Sequence, residues 1–547
     1  MKPKHLLHTV LIFAFLQNSF GQIPSWNWAR SASGNGYDEA STVTTDISGN
    51  VYVSGYFSSD FITIGTITLQ NDGLSFNDVF IAKYDPSGNL LWAQRAGSSG
   101  NDRGISVTTD KTGDVYLTGY FYSPTITFGP FTLTNAGVVG DIFIVKYDSA
   151  GNVLWAKREG GPALEIPFSI AIDDLNNIIV AGRFSSNSIT FGTTTLNQAG
   201  SMDVFVVKYD PSGNVLWAKG AGGGSNDEAY SVSTDASENI YVAGYFTQPA
   251  NFGTVKLTSA GLTDTFLAKY NPTGNILWAK RAGGKSDDRA TGVKTDPQGN
   301  SYVTGFYTND SISFGSVLIP NTSFDNSFLA KYDTDGNVLW AKGIGNKSRA
   351  SSVTVSNGNV YACGSFKSDT LTYGSSTLIN AGDPDFFILN CNTSGNAKWA
   401  AKQTSGGKSS EFANSIATDQ FGNLFIAGSF KSEPIFFGTS ELNSNRGFDL
   451  FVAKLGSTPT GIGDLGIASE FDIYPNPNNG VFTLKNNFNI KVIEIYDLTG
   501  RKILSRTDLK QGAPEVLNIT GSPSGIYFIR IFDGQKNFTK KLIIRKD

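Results

Sequence analysis

A Trp-Ala pair recurs seven times in this 547-residue chain, at Trp28, Trp92, Trp155, Trp217, Trp278, Trp340 and Trp399, spaced by 64, 63, 62, 61, 62 and 59 residues. So regular a period means that one supersecondary unit has been copied along the chain, each copy burying its apolar face against the next. The unit is legible in its second copy. Short alternating runs at residues 105–110, 115–121, 142–147 and 153–157 are separated by the turn signal Gly113-Asp114, by a loop containing Phe128, Gly129 and Leu133, and by a turn from Asp148 to Asn152. Four strands joined by tight turns form the antiparallel sheet of a propeller blade. Composition agrees, with 16% charged residues, 12% aromatics and 61 glycines, the mixture that many short strands and turns require.

The third strands, at 78–84, 203–209 and 264–270, are apolar on both faces, unlike a sheet with one wet side. Sheets sandwiched between two neighbours require this. The last copy runs through residues 449–454 and reaches Ser457 and Pro459 without a Trp-Ala strand of its own, whereas the first Trp-Ala strand, at 26–30, has no unit before it. Pairing the two would complete a seventh sheet and remove both free edges. The expected fold is all-β: a seven-bladed β-propeller closed by its N-terminal strand at 22–456, a linker at 457–466 and a small C-terminal β-sandwich at 467–547.

With its Gly-Asn turns and Trp-Ala strands, the stretch from 26 to 455 resembles the bacterial seven-bladed β-propeller repeat family. Departures fall in the third copy, where Glu165, Ile166 and Pro167 replace an Asp-Glu-Ala type stretch, and in the sixth, where Asn390 and Cys391 replace Lys-Tyr. Those two blades are expected to be less regular.

The end of the chain carries Tyr474, Pro475, Asn476 and Pro477, then Gly480, then Tyr496 with Gly500 and Arg501, then Gly525 and Tyr527, and finally Lys540 and Lys541. A Tyr-Pro-Asn-Pro motif, a Tyr-Asp-x-x-Gly-Arg turn, a Gly-Ile-Tyr strand and a basic last strand, in that order, resemble the C-terminal sorting domain of the type IX secretion system. The resemblance implies that type IX machinery is a partner and that the protein is secreted, or held at the outer-membrane surface, in a Gram-negative bacterium. An adhesive immunoglobulin-like module is the other reading of such strands. At the opposite end, Lys2 and Lys4 precede an apolar run from Leu6 to Leu16 and small or polar residues up to Gly21. That is the pattern of a signal peptide over 1–21 with cleavage near Gly21. The run is too short to span a bilayer and no later stretch is longer, so no transmembrane segment is expected.

The net charge of −4 is unevenly spread: residues 1–21 hold two lysines and no acid, residues 467–547 hold twelve Lys/Arg against eight Asp/Glu, and the 29 basic and 39 acidic residues between leave a net of −10. An acidic body repels phosphate backbones, which excludes nucleic acid as a partner. Histidine occurs only at His5 and His8, within the leader, so the mature chain offers no imidazole for base catalysis or metal ligation. Cys363 and Cys391 are too few for a thiolate zinc site; on strands two and three of one copy, they could form a disulfide or stay buried thiols. No catalytic, cofactor-binding or metal-binding residue is expected.

Antiparallel topology sorts the loops onto two rims. Turns such as 46–50 and 85–89 are short and standardised. Connections from strand two to strand three, and from strand four to the next copy, are long and variable, so that rim, with the mouth of the central channel, is the expected binding face. Acids recur there: Asp38, Asp102, Asp227, Asp288 and Glu411 after the Trp-Ala strands, and Asp78, Asp141, Asp203, Asp264, Asp385 and Asp449 before the third strands. They could hold a divalent cation or a cationic partner, but an Asp at every strand entrance points rather to bonds with local backbone N–H groups. The turn at Asp333, Asp335 and Asn337 resembles half a calcium loop and lacks the downstream Glu. Tyr56, Tyr120, Tyr245 and Phe306, after the glycine of strand two, read as packing between blades rather than as sugar platforms. The chain is expected to be an exported, non-enzymatic binding module for a glycan or protein on the long-loop face; the alternative is a carboxylate-dependent glycoside hydrolase or polysaccharide lyase.

Overall fold

The computed structural model describes residues 23–456 apart from 74, 75, 138, 309, 322, 383, 432 and 433, and residues 471–546 apart from 487–489, 498–500, 508–513 and 533–536. Among them every regular element is a β-strand. The chain divides into two compact units between Thr458 and Pro459. The expected leader at 1–21 and the linker at 457–466 lie outside the described residues.

In the first unit a run of four strands, each antiparallel to the next, recurs seven times. The second copy consists of Asp102–Thr109, Val115–Phe121, Asp141–Tyr147 and Val153–Glu159. The middle two strands are the most enclosed; in the first copy every residue of Val51–Phe57 and Asp78–Tyr84 is buried. Burial on both faces is why these segments read as unbroken apolar runs. The apolar side chains form clusters between consecutive sheets, one of which joins Tyr52, Val79 and Ile81 to Val115, Leu117 and Phe143. The copy made of Glu411–Thr418, Leu424–Phe430 and Asp449–Leu455 takes its fourth strand from the other end of the chain: Trp26–Ser33 runs antiparallel to Asp449–Leu455, with Ala29 opposite Ala453 and Ser31 opposite Phe451. First strands of successive copies also touch. Backbone N–H groups of Ile170, Val232, Val293 and Ile416 donate to the hydroxyls of Ser106, Ser169, Ser231 and Ser352, and Val43 N–H donates to Ser415 Oγ.

The repeating tryptophans reach across these seams. Trp28 Nε1 donates to Pro86 O at 3.1 Å, Trp217 to Pro272 O at 3.0 Å, Trp278 to Thr334 O at 3.1 Å and Trp340 to Thr393 O at 3.1 Å. Each acceptor is the second residue of the turn between strands three and four of the next copy. The indole also lies against that turn's glycine: a Cβ on Gly88 would come 2.6 Å from the Trp28 ring, and one on Gly274 2.7 Å from the Trp217 ring. The two constant parts of the repeat, Trp-Ala and the Gly-Asn turn, are thus halves of one contact between neighbours. Trp399 breaks the series, since its buried Nε1 has no hydrogen-bond partner among the described residues. The turn it would reach does not exist, because the next copy's third and fourth strands come from opposite ends of the chain, where Gly456 N–H donates to Ser25 O at 2.9 Å.

Two expectations change, and one of the two alternatives left open for the thiols is found. The stretch between strands two and three, expected as a loop, is a further hairpin in each copy, such as Thr125–Phe128 with Phe131–Thr134. In the first copy this hairpin places Ile62, Ile64 and Leu69 in one cluster with Trp28, Phe425 and Leu450, and Ile64 pairs with Ala32 of the neighbouring fourth strand. It fills the wedge between two sheets and covers an edge that would otherwise lie bare. Second, the two atypical copies keep all four strands. Glu165 accepts from Gly161 N–H and from the N–H and hydroxyl of Ser186, as Asp102 does from Ser98 and Ser123. In the sixth copy Asn390 replaces the lysine that elsewhere faces a turn aspartate, as Lys208 faces Asp173 at 2.7 Å; that aspartate is gone too, replaced by a tight turn at Asn357 and Gly358. Cys363 and Cys391 are both free and buried. Cys363 stands opposite Ile388 and Cys391 opposite Val360, an odd number of residues apart, so they point to opposite faces and belong to different clusters.

In the second unit Phe471–Tyr474, Val481–Asn486 and Glu515–Asn518 form one antiparallel sheet, and Lys502–Arg506, Val492–Asp497, Gly525–Phe532 and Asn537–Ile544 another. Phe482, Leu484 and Leu517 from the first sheet share a core with Ile493, Ile495, Ile529, Ile531 and Leu542 from the second.

Candidate functional site

The strand-entrance acids are structural. Asp38 and Asp102 are fully buried. Asp102 accepts from the backbone of Ser98, Tyr122 and Ser123 and from the Ser123 hydroxyl; Asp38 accepts from the N–H and hydroxyl of Ser59. Of the third-strand acids, Asp78 accepts from Asp72 N–H and Arg95, and Asp141 from Ala136 N–H and Arg158. Burial pushes the pKa of Asp38, Asp78 and Asp227 up to about 7, and that of Asp288 up to about 8. Asp333 is likewise engaged within its own turn, accepting from Asp335 N–H and from the N–H and side chain of Asn337. Among the described residues no group of three or more His, Cys, Asp or Glu side chains is placed to hold a metal ion.

The variable part of the repeat lies beside these acids. Every first strand carries a β-bulge at the same place, for example between Ala40 and Thr42, Ala229 and Ser231, and Ala413 and Ser415. A bulge leaves one residue outside the ladder and re-aims its side chain. The bulged residues are Ser41, Ile105, Phe168, Tyr230, Thr291, Ser351 and Asn414, all half-buried. Two positions earlier stand Glu39, Arg103, Ile166, Glu228, Arg289, Arg349 and Phe412. Here copies that agree nearly everywhere else diverge in size and charge.

These side chains meet across the seams. The guanidinium of Arg103 lies 4.2 Å from the Tyr56 ring centre, Arg289 lies 4.4 Å from Tyr245, and Arg349 lies 4.4 Å from Phe306. Arg183 pairs with Glu228 at 3.0 Å, and the Phe168 and Tyr230 rings meet edge to face at 4.8 Å. Glu39 accepts from Tyr37 Oη at 3.1 Å, Tyr56 Oη at 2.9 Å and Asn414 Nδ2 at 3.2 Å, and burial holds its pKa above the usual carboxylate range. Tyr56 and Tyr245 are buried, as expected for packing between copies, while Tyr37 is 39% exposed. The guanidinium N–H groups are engaged as well: Arg349 Nε donates to Asp325 at 3.1 Å, and Arg103 and Arg289 hydrogen-bond the side chains of Tyr120 and Tyr230. The residues that break the repeat here are arginines and aromatics, visible once the copies are aligned on their bulges.

The tail residues serve the second unit's own frame. Asn476 accepts from Ile543 N–H and donates to Lys541 O, which ties the Tyr-Pro-Asn-Pro segment to the basic last strand. Gly480, at φ +105°, accepts from Ile519 N–H. Tyr496 Oη donates to Glu494, Arg501 Nε to Asp497, and the buried Tyr527 Oη to Pro523 O. Gly525 pairs with Ile544, and Lys540 and Lys541 pair with Ile529 and Phe528. Tyr474 is 48% exposed. Gly500 lies outside the described residues.

The family model for the secretion system C-terminal sorting domain matches residues 472–545. The chain is similar to a WD repeat-containing protein of Acanthamoeba polyphaga mimivirus, 25% identical over 378 residues that cover 56% of this chain and 27% of that protein, and to the regulatory protein FlaEY of Caulobacter vibrioides, 23% identical over 312 residues that cover 53% and 32%. It thus spans about a third or less of the length of these relatives. Among solved structures it is similar to the WD40 domain of Neurospora crassa Pan2, with 10% identity, coverage of 80% and 99% and a TM-score of 0.38. It is similar also to PorZ, a surface component of the type IX secretion system of Porphyromonas gingivalis, with 10% identity, coverage of 95% and 100% and a TM-score of 0.21. The sorting tail marks this all-β, propeller-like protein for type IX secretion, to the medium or to the outer-membrane surface. Among the described residues no helix is long and apolar enough to cross a membrane.

Proposed function

We propose that the mature protein is a seven-bladed β-propeller over residues 22–456, closed by the strand Trp26–Ser33, that binds a glycan or protein through its long-loop rim without catalysing a reaction. Residues 467–547, a β-sandwich, direct its export and are read by the type IX machinery through the motif residues from Tyr474 to Lys541. The observation that carries the binding reading is the contrast between a standardised frame and the divergent residues collected at the bulges. Rigid elements hold those residues, as a recognition surface requires. The hydrolase alternative needs two free carboxylates facing one substrate, whereas the strand-entrance acids are enclosed by N–H donors and hydroxyls.

The full mature chain should give saturable binding on a glycan array or on envelope protein fractions, and Arg289→Ala or Tyr230→Ala should weaken it at least about tenfold, as a central contact does. Release of reducing ends from a bound glycan would overturn the non-enzymatic reading. For the tail, deletion of residues 467–547 should trap the protein in the periplasm; undiminished surface appearance would refute the sorting role.

A further inference from the structure

One cavity of roughly 410 Å³ is lined by residues from all seven first strands, a volume in the range of small-ligand sites. At one level of the first strands its wall carries Thr44, Thr108, Ala171, Ser233, Lys294, Thr354 and Ala417. Six of these positions are neutral and small. Lys294, on the strand Asp288–Thr295, is the single charged residue among those lining the cavity.

The other lysines of the first unit show what an enclosed ammonium normally finds here. Lys208 faces Asp173 at 2.7 Å, Lys146 faces Asp114 at 2.9 Å, and Lys83 donates to Ser149 O at 2.8 Å. Lys294 has no hydrogen bond or ion pair among the described residues. Unlike those lysines, Lys294 is exposed to water; the channel walls around it hold its pKa below the usual lysine range. A cation in a narrow, low-dielectric channel focuses its field on whatever enters. The hydroxyls of Thr44 and Thr108, at the same level on other strands, can donate to an anion's oxygens, whereas those of Ser233 and Thr354 already pair with Thr295 and Thr418.

We propose that the central channel is an oxyanion site, in which the Lys294 ammonium supplies the charge and the Thr44 and Thr108 hydroxyls supply further hydrogen bonds to a phosphate, a sulfate or a carboxylate. The site lies within the channel rather than on the rim, so it stands or falls apart from the rim's ligand. No other position in the repeat places a charge there, and substitution by the residues of the sister copies should leave the fold intact.

The test uses the full chain with its lysines methylated by carbon-13 formaldehyde, the Lys294 signal being assigned by its loss in Lys294→Met. Sodium phosphate, sulfate, acetate and galacturonate are titrated at constant ionic strength against chloride. The expected result is a saturable shift of the Lys294 signal with at least one oxyanion, together with a rise in that lysine's pKa, while chloride gives neither. The oxyanion arms separate inorganic ions from a sugar carboxylate as the source. In calorimetry the same oxyanion should bind wild type and Lys294→Arg and lose at least about tenfold in affinity for Lys294→Thr, with melting temperatures showing that both variants fold. A Lys294 signal that responds to every oxyanion as it does to chloride, or binding unchanged in Lys294→Thr, would overturn the proposal.

Discussion

Gly274 has two reasons to be glycine: its φ of +78° lies in the left-handed region, and any Cβ would strike the Trp217 ring at 2.7 Å. Gly315, at φ +59°, has the first reason alone, with nothing within 4 Å of its notional Cβ. Gly315→Ala should therefore cost about 1–2 kcal/mol, the backbone strain of a left-handed non-glycine, and Gly274→Ala measurably more, because the tryptophan must also move. Denaturant midpoints of the two variants decide the point, and equal losses would show that the indole contact gives way freely. The thiols supply a second expectation: with Cys363 and Cys391 on opposite faces, a reductant should leave the melting temperature unchanged, and a thiol reagent should label both only after unfolding. At this scale the sequence was only half legible. The period displayed each tryptophan and each turn glycine, but not that they touch, since the contact joins residues some 56 positions apart through the fold, as between Trp278 and Thr334. Lys294 was in plain view as the one charged residue among small ones at its place in the repeat.

Strand entrances pair their acids across the seams between copies. Asp102 raises the charge burden on Asp78, Asp264 on Asp288, and Asp449 on Asp38, and one buried oxygen each of Asp78, Asp141 and Asp264 accepts no hydrogen bond among the described residues. A proton retained on one acid of the pair would satisfy such an oxygen. Burial first, then this repulsion, places Asp38, Asp78 and Asp227 at about 7 and Asp288 at about 8, and burial alone places Asp102 at about 6, all above the unfolded value near 4. Because the folded pKa exceeds the unfolded one, this contribution to stability is whole below about pH 4 and is lost as the pH climbs through 6 to 8. Calorimetry should find a higher melting temperature at pH 5 than at pH 8, with Asp288→Asn, which keeps the shape without the charge, flattening the profile. A parallel profile for that variant would place the proton elsewhere. The four long strands of each copy were readable from the sequence because their apolar runs are distinct and their turns repeat. The inserted hairpins were not: strands of three or four residues, such as Ala250–Phe252 and Val255–Leu257, give too short an alternation to separate from a loop, and only their place in the wedge between sheets makes them fold.

For the molecule as a whole the pairing of Trp26–Ser33 with Asp449–Leu455 is decisive. Trp28→Ala should lower stability by about 3–5 kcal/mol, the usual loss for a buried tryptophan, since that ring is 5% exposed and packs with Phe425 and Leu450. Removing residues 23–33 should do more: Asp449–Leu455 becomes a bare edge, and gel filtration should show oligomers in place of a monomer. A monomer that melts like the intact chain would mean that the pairing contributes little. That the two ends meet was predictable from the missing Trp-Ala strand in the last copy; the undonated indole of Trp399 was not, because it arises from a turn the chain never makes. Ala29 finds its ladder partner in Ala453, more than four hundred positions later, so this strand cannot complete its ladder until the chain between them has been made. Until then it stands unpaired, and assembly of the first unit is timed by the arrival of Asp449–Leu455.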